Sequence, residues 1–262
     1  MKRFAIVVLL GMFLAGCDFL DKTARNEYEL ATKRWNAGDY QAAAAMYTAL
    51  AKNHPYSPYA DNALYWVGVT QFLYLGETDK ALRTLELVLK RYPKRDMAPA
   101  SELYIAQIYE LGYNDYERAI TEYRKAAESG DREVREKGLY SLADNLFRVG
   151  KIEEARNIWT RQVTEFPNGP QSRLAFFRLG TAAFSRGELQ KAEAFYQKTL
   201  ENSTDRELAM KATFALAGCF EADDNLKEAL RFYKEIEPAY PNPEAIQIKI
   251  RALEARILKK SY

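Results

Sequence analysis

The feature that most constrains this chain is a turn residue followed five positions later by an alanine, which recurs six times. The pairs are Gly38/Ala43, Gly76/Ala81, Asn114/Ala119, Gly150/Ala155, Gly187/Ala192 and Asp224/Ala229. The alanines recur at intervals of 38, 38, 36, 37 and 37 residues. A fixed period of about 20 to 50 residues is typical of tandem repeats, whose units bury their apolar faces against one another. The sequence therefore predicts six similar units between residues 24 and 242.

Each unit reads as two amphipathic helices joined by a tight turn. Gly, Asn and Asp tolerate the positive φ that such a turn requires. An alanine near the start of the second helix lets the two helices cross closely. A bulky residue follows one turn later, at Tyr47, Leu85, Tyr123, Trp159, Tyr196 and Tyr233. The first helices carry a small residue 12 or 13 positions before the alanine, at Ala31, Gly68, Ala106, Ala143, Gly180 and Ala217.

The end of each second helix is also marked. A proline stands twelve residues after the alanine in four units, at Pro55, Pro93, Pro167 and Pro241, and Ser129-Gly130-Asp131 and Asn202-Ser203-Thr204 replace it in the others. Residues 243–262 then place Ile246, Ile250, Leu253 and Ile257 at helical spacing, which predicts a helix that caps the array. Ile248 and Leu258 fall off that stripe and form a possible contact surface.

These positions resemble the tetratricopeptide repeat. That family has a small residue in the first helix, a glycine turn, an alanine in the second helix, an aromatic one turn later and a closing proline. The resemblance covers residues 24 to about 243. It implies an all-α fold, a TPR-type α-solenoid of about six helix-turn-helix repeats with a C-terminal capping helix. The spacing of 36 to 38 residues, instead of the family's 34, predicts longer loops between units.

The N-terminus has the pattern of a bacterial lipoprotein. Lys2 and Arg3 precede an apolar stretch that ends in Leu14-Ala15-Gly16-Cys17. That ending resembles the lipobox, in which cleavage occurs before the cysteine and the cysteine is acylated. Residues 1–16 are thus predicted to be a lipoprotein signal peptide, and residues 17–23 the lipidated Cys17 and a short tether. The alternative, a transmembrane anchor, needs about 20 apolar residues, more than this segment holds.

The lipobox predicts a protein that is attached to a bacterial membrane by acyl chains and faces the periplasm. Asp18 resembles the residue that retains enterobacterial lipoproteins in the inner membrane, but other bacteria sort differently, so inner and outer membrane both stay open. The tether spans at most about 20 Å, which keeps the first repeat near the bilayer.

The residues needed for catalysis are scarce. The chain has one histidine, His54, and one cysteine besides Cys17, namely Cys219, so neither a Cys/His pair nor a typical metal site can be assembled. Acidic pairs such as Glu153/Glu154 lie at helix starts, where they favour the helix dipole. The sequence therefore predicts no enzyme, cofactor, metal or small-molecule substrate, with a periplasmic enzyme as the rival interpretation.

The balance of charges bears on the partners. Without Lys2 and Arg3, 36 basic residues face 36 acidic ones. A neutral balance without a dense basic run argues against nucleic acid. The expected partners are envelope proteins that present an extended or helical segment.

Six aromatic residues of the first three units form the candidate partner-binding set: Tyr28, Trp35, Tyr65, Trp66, Tyr74 and Tyr104. In the tetratricopeptide family, comparable positions often face the binding groove. Packing between first helices is the alternative, because large rings suit a fold without one large core. Packing is the favoured interpretation for Phe177 and Phe214.

Two groups of envelope proteins carry the nearest local resemblances. Residues 54–60 resemble the end of the first repeat in BamD-like lipoproteins of outer-membrane β-barrel assembly. Residues 58–68 resemble the repeat region of YbgF-like Tol-Pal proteins, which are soluble. The resemblance implies a non-enzymatic, lipid-anchored scaffold for protein–protein interactions in envelope or outer-membrane protein assembly. The alternative is an accessory lipoprotein of a Tol-Pal, pilus or secretion system.

Overall fold

The computed structural model describes residues 22–201 and 203–260, and this part of the chain is helical with no β-strand. Thirteen α-helices are described: α1 (residues 22–36), α2 (Tyr40–Asn53), α3 (Ala60–Leu73), α4 (Thr78–Arg91), α5 (Met97–Gln107), α6 (Tyr116–Ala126), α7 (Arg132–Arg148), α8 (Ile152–Glu165), α9 (Ser172–Ser185), α10 (Leu189–Leu200), α11 (Arg206–Ala222), α12 (Leu226–Ile236) and α13 (Pro243–Lys260). The predicted all-α array of helix pairs with a final helix is confirmed. The predicted signal peptide, Cys17 and Asp18 lie outside the described residues.

The chain divides into two compact units. Unit 1 extends to Gly138 and unit 2 begins at Leu139, so the boundary falls inside α7. Unit 1 contains α1 to α6, and unit 2 contains α8 to α13.

The six predicted turn residues all have positive φ. The angles are 80° at Gly38, 67° at Gly76, 54° at Asn114, 81° at Gly150, 74° at Gly187 and 60° at Asp224. Among the described residues, no others have positive φ. The turn chemistry was therefore readable from the sequence, because few residues besides Gly, Asn and Asp occupy this backbone region without strain.

The alanine column makes the close helix contact that its spacing predicts. All six alanines are 0% exposed, and the bulky residue four positions later is buried in every pair. The small residue of the first helix receives that bulky side chain. A Cβ atom at Gly180 would lie 2.6 Å from the ring of Tyr196, and one at Gly68 would lie 2.6 Å from Cγ of Leu85. Small and large residues thus interlock within a pair.

The second and third pairs differ from the others by one extra residue before the turn. In the first pair the amide of Asp39 donates to the carbonyl of Arg34, five residues back. In the third pair the amide of Asp115 donates to Tyr109, six residues back, and α5 ends in a π-helical turn at Ile108–Gly112. The wider turn accounts for the spacing of 13, not 12, between the small residue and the alanine.

Helix ends agree with the proline signals except in the last pair. Helices α2, α4 and α8 end two residues before Pro55, Pro93 and Pro167. Helix α12 instead ends at Ile236, well before Pro241, and a 3-10 turn follows at Glu237–Ala239. Pro238 is the reason, since it has no amide hydrogen to continue the helical ladder. The prediction that Pro241 ends this helix was wrong.

One buried amide in unit 2 breaks the pattern of its column. Seven residues after each alanine stand Leu50, Val88, Ala126, Gln162, Thr199 and Ile236. Gln162 is 0% exposed, and both polar atoms of its amide have no hydrogen-bond partner among the described residues. Burying an unpaired amide costs about 1 to 3 kcal/mol. Replacing Gln162 with leucine should therefore raise the free energy of unfolding by about 1 to 2 kcal/mol, measured in urea.

Thr199 is the matched control for this substitution. It holds the same column position and is equally buried, but its hydroxyl donates to the carbonyl of Phe195. Thr199→Val should raise stability less than Gln162→Leu. Equal changes would mean that the unpaired amide is not the cause.

Candidate functional site

In unit 1, ring contacts join five of the six candidate aromatic residues, and the sixth, Tyr28, contacts Tyr47 and Tyr59 in a second group packed against the same core. Three further rings join them, and we call the nine residues the aromatic cluster: Tyr28, Trp35, Tyr40, Tyr47, Tyr59, Tyr65, Trp66, Tyr74 and Tyr104. Ring contacts run from Tyr104 to Tyr65 (5.7 Å between centroids), from Tyr65 to Trp66 (5.5 Å) and from Trp66 to Trp35 (5.3 Å). The cluster therefore connects the first helices of three successive pairs.

Trp35, on α1, lies at the centre of the cluster. Its ring meets Tyr40, Trp66 and Tyr74 edge-on, with centroids 5.3 to 5.7 Å apart. Its indole Nε1 donates a 3.1 Å hydrogen bond to the buried hydroxyl of Thr70, on α3. These contacts orient the ring and leave it half-buried.

Tyr28 and Tyr65 mainly pack against neighbouring rings. The ring of Tyr28 lies 5.3 Å from that of Tyr47 and 5.5 Å from that of Tyr59. Burial raises the pKa of Tyr28 to about 12, and burial also raises the pKa of Tyr65. Both phenols therefore stay protonated at neutral pH. For these two residues, which are half-buried, the structure favours packing between helices.

Tyr74 is the most exposed ring of the predicted set. It follows the last residue of α3, is 43% exposed, and stacks on Tyr40 with centroids 4.0 Å apart. The neighbouring Leu73 is 50% exposed. Stacking holds the Tyr74 ring in place, so binding it would cost little conformational entropy. The exposed edge of the aromatic cluster therefore lies at the turn after α3.

A cleft in unit 2 was missed by the sequence analysis. It has a volume of about 590 Å³, and its lining includes Phe184, Phe214, Gly218 and Glu221. Gly218 leaves room there, because a Cβ atom would meet nothing closer than 3.9 Å. Phe214, predicted to pack, does stack on Tyr240 at 5.4 Å, yet it also lines this cleft. The spacing of Phe214, Gly218 and Glu221 on one helix face was the available signal.

A second missed feature is a cavity of about 720 Å³ in unit 1, which we call the basic pocket. Its lining residues are Lys52, Pro55, Tyr56, Arg91, Tyr92, Pro93, Lys94 and Arg95. Four of the eight are cations and none is a carboxylate. The sequence contained the signal, since residues 90–95 read Lys-Arg-Tyr-Pro-Lys-Arg. The statement that the sequence has no dense basic run is therefore wrong for this segment, in which four of six residues are basic.

Comparison with models of protein families identifies the family of this chain. Models described as tetratricopeptide repeat match residues 28–73 and 140–207 in one case and residues 62–95 in another. The chain is a tetratricopeptide-repeat protein. No curated protein matches it by sequence.

Solved structures share the tetratricopeptide-repeat fold. PilW, described as a type IV pilus biogenesis factor, gives a TM-score of 0.61 at 16% identity over 87% of this chain and 98% of its own. PilF of Pseudomonas aeruginosa gives 0.68 at 12% identity over 88% and 99%. Part of a repeat protein from Cytophaga hutchinsonii gives 0.62 at 20% identity over 80% and 78%. At these identities the likeness concerns the fold alone.

Of the two residues considered for catalysis in this tetratricopeptide-repeat protein, Cys219 is buried and His54 is half-buried. Cys219 is 2% exposed, and burial raises the pKa of its thiol to about 11, so the reactive thiolate is scarce at neutral pH. His54 is half-buried, with Nε2 3.4 Å from a carboxylate oxygen of Glu27. In the described part of the chain, no three metal-binding side chains come together, and no helix is long and apolar enough to cross a membrane.

Proposed function

We propose that this protein is a non-enzymatic, lipid-anchored scaffold of the bacterial envelope. Acylation of Cys17 attaches it to a membrane on the periplasmic side, and the repeats hold partner proteins during envelope or outer-membrane protein assembly, as in BamD-like proteins. An extended or helical segment of the partner binds at the aromatic cluster. The lipobox-like Leu14-Ala15-Gly16-Cys17 supports the anchoring, and the family supports the scaffold role.

The observation that carries the binding proposal is the ordered, exposed edge of the aromatic cluster. Tyr74 and Leu73 expose about half of their surfaces, and Trp35 lies directly behind Tyr74 at 5.4 Å. Tyr and Trp are enriched among the residues that dominate binding energy, particularly where rings are already rigid.

A second candidate is an accessory role in pilus biogenesis. Its support is the likeness to PilW, which covers nearly the whole of that protein, together with the similar coverage of PilF. The same anchored scaffold would then hold pilus components. The two candidates differ in the identity of the partner.

Photo-crosslinking from Tyr74 tests the proposal. A benzophenone amino acid at position 74 should crosslink a small set of envelope proteins in intact cells. The same group at Tyr113 is the control, because Tyr113 is 40% exposed at the turn of the next pair but contacts Tyr109 and Asp79, outside the aromatic cluster. Subunits of the β-barrel assembly machinery or pilus components would separate the two candidates. Identical crosslinks from both positions would contradict a specific surface.

The binding energy at this surface should be concentrated in Tyr74. With the crosslinked partner purified, Tyr74→Ala should weaken its binding by about 2 kcal/mol, roughly thirty-fold in Kd. The melting temperature should change little because 43% of Tyr74 is already exposed in the folded chain. Tyr113→Ala should leave the Kd within about twofold. Equal losses for the two variants would remove Tyr74 from the interface.

A further inference from the structure

The basic pocket combines an exposed aromatic ring with three cations that lack carboxylate partners. Tyr56 is 93% exposed, more than any other large hydrophobic residue of the described chain. Lys52, Arg91 and Lys94 form no ion pair with any described residue, whereas elsewhere in unit 1 Lys80 pairs with Glu77 and Lys125 with Glu122. Unpaired cations around a concave surface favour an anionic ligand.

Arg95 builds the pocket. Its guanidinium donates to the carbonyl of Ser57 at 2.6 Å, to the carbonyl of Tyr56 at 3.3 Å and to the carboxylate of Asp61 at 3.2 Å. The hydroxyl of Tyr92 donates to the carbonyl of Pro55 at 2.8 Å. These bonds fasten the loop after α2 to the loop after α4, so the pocket exists before any ligand arrives.

The nearby carboxylates do not neutralise the pocket. Asp61 is buried and engaged by Arg95. Asp61 and Asp96 line an adjoining, separate cavity together with Tyr56, Lys94 and Arg95. Within the pocket itself the charge is positive.

The pocket lies at the end of unit 1 where the N-terminal segment enters. Arg25, near the start of α1, donates from Nε to the hydroxyl of Tyr59 at 2.8 Å. His54, which follows α2, lies 3.4 Å from Glu27 of α1. The first turns of α1 therefore contact the loop that forms the pocket. From Cys17 to residue 22 the chain can reach at most about 18 Å.

We propose that the basic pocket docks unit 1 on the anionic phospholipid head groups of the membrane that holds its N-terminus. This inference rests on the proposed N-terminal anchoring. Lys and Arg side chains near an anionic bilayer are attracted to it, and Tyr favours the interface between head groups and water. The short tether brings the pocket, and not a distant surface, within reach of the bilayer.

Docking also sets the orientation of the partner surface. Helix α3 begins beside the pocket at Ala60 and ends at Leu73, just before Tyr74. Its 14 residues span about 20 Å. A docked pocket therefore places Tyr74 at the end of α3 that points away from the lipid, where a partner can approach.

Two labels on one helix test the orientation. Asn53 and Gln41 are exposed residues at opposite ends of α2, and only Asn53 is near the pocket. The full mature chain carrying Asn53→Cys or Gln41→Cys is labelled with a fluorophore; the parent chain gives the background. It is placed in phosphatidylcholine vesicles with or without phosphatidylglycerol, with a nitroxide quencher on a head group. The label at position 53 should be quenched several-fold more than that at 41, but only with phosphatidylglycerol.

Charge variants show whether the pocket is responsible. Lys52→Glu, Arg91→Glu and Lys94→Glu together should reduce quenching at position 53 to the level at 41. The corresponding triple glutamine variant should lose an intermediate part of the quenching at position 53. Circular dichroism should show that both triple variants remain helical. Arg95 is left intact because it holds the loops together. Equal quenching at 53 and 41, or no effect of the charge variants, would overturn the proposal.

Two further measurements distinguish docking on lipid from loss of the anchor and from binding of a different anion. Mass spectrometry of the N-terminal peptide reports acylation, so failure of the anchor is distinguished from failure of docking. An anchored chain whose position 53 is unquenched with phosphatidylglycerol would exclude lipid as the ligand of the pocket. Loss of quenching in phosphate but not in chloride of equal ionic strength would assign it to free phosphate. Either result would overturn docking on lipid.

Discussion

Replacing Arg95 with alanine should lower the free energy of unfolding of unit 1 by about 3 kcal/mol. The substitution leaves the Asp61 carboxylate, whose side chain is 3% exposed, without its cation. Removing one partner of a buried ion pair costs about 3 to 5 kcal/mol, because the remaining charge is buried and uncompensated. The lower end of this energy range applies here because Arg95 keeps about a third of its own surface in water. The carbonyls of Tyr56 and Ser57 lose donors as well.

Urea unfolding and hydrogen exchange of α2 to α5 measure this loss. Arg91→Ala is the matched control, since Arg91 is an exposed arginine of the same pocket with no ion pair among the described residues; it should change stability by less than about 0.5 kcal/mol. The double variant Arg95→Ala/Asp61→Asn should lose less than Arg95→Ala alone, because it leaves no buried charge. If the Arg95→Ala variant were as stable as the Arg91→Ala variant, the Arg95–Asp61 ion pair would contribute nothing to the stability of unit 1.

Replacing Gly138 with alanine should lower the free energy of unfolding by about 2 to 3 kcal/mol. A Cβ atom at Gly138, in α7, would lie 2.7 Å from the carbonyl carbon of Ala126 and from the amide nitrogen of Ala127. These are backbone atoms, so the contact cannot be relieved by rotating a side chain. Overpacking of this kind costs about 1 to 3 kcal/mol, and a backbone neighbour favours the upper part of that range.

Gly218→Ala is the control for the loss of a helical glycine. Gly218 lies inside α11, and a Cβ atom there would be 3.9 Å from its nearest neighbour, the hydroxyl of Tyr233. Alanine is the better helix former by about 1 kcal/mol, so this variant should be slightly more stable than the parent. Thermal or urea unfolding of the two variants should therefore show changes of opposite sign. A gain in stability for Gly138→Ala would mean that α7 can move away from α6.

The close approach at Gly138 follows from two columns of residues considered together. The other helix pairs carry Asn26, Ala63, Ser101, Ala175 and Ala212 at the position of Gly138. In the preceding second helix, Ala126 is the smallest member of the column that includes Leu50 and Val88. Helix α6 ends at Ala126 and is followed by Ser129-Gly130 instead of a proline. Because Gly138 in α7 and Ala126 in α6 are both small, the backbones of the two helices come into contact. Neither column of residues predicts this contact by itself.

The binding and docking proposals are independent in the parts of unit 1 that they use. The partner surface is the exposed edge of the aromatic cluster at the turn after α3, and the basic pocket is formed by loops at the other end of that helix. A variant of Tyr74 should therefore leave vesicle docking unchanged, and the triple charge variant should leave a correctly folded partner surface.

The sequence by itself determined the repeat, the turns and the close helix contacts. Each depends on a local steric requirement: a positive φ at Gly38 or Asp224, no side chain beyond Cβ at Ala43, and no amide hydrogen at Pro55. Such requirements restrict the residue type at one position, so they recur with the period of the repeat and can be counted.

Only the tertiary structure decided which aromatic residues are exposed and which cations lack partners. Trp35 is held by Thr70 and Arg95 by Asp61, contacts between residues 35 and 34 positions apart. The local sequence does not distinguish Tyr28 from Tyr74, and only the contacts with the next helix pair leave Tyr28 half-buried while Tyr74 is 43% exposed. Exposure and charge pairing are set by contacts between successive helix pairs, and the composition of one pair does not contain them.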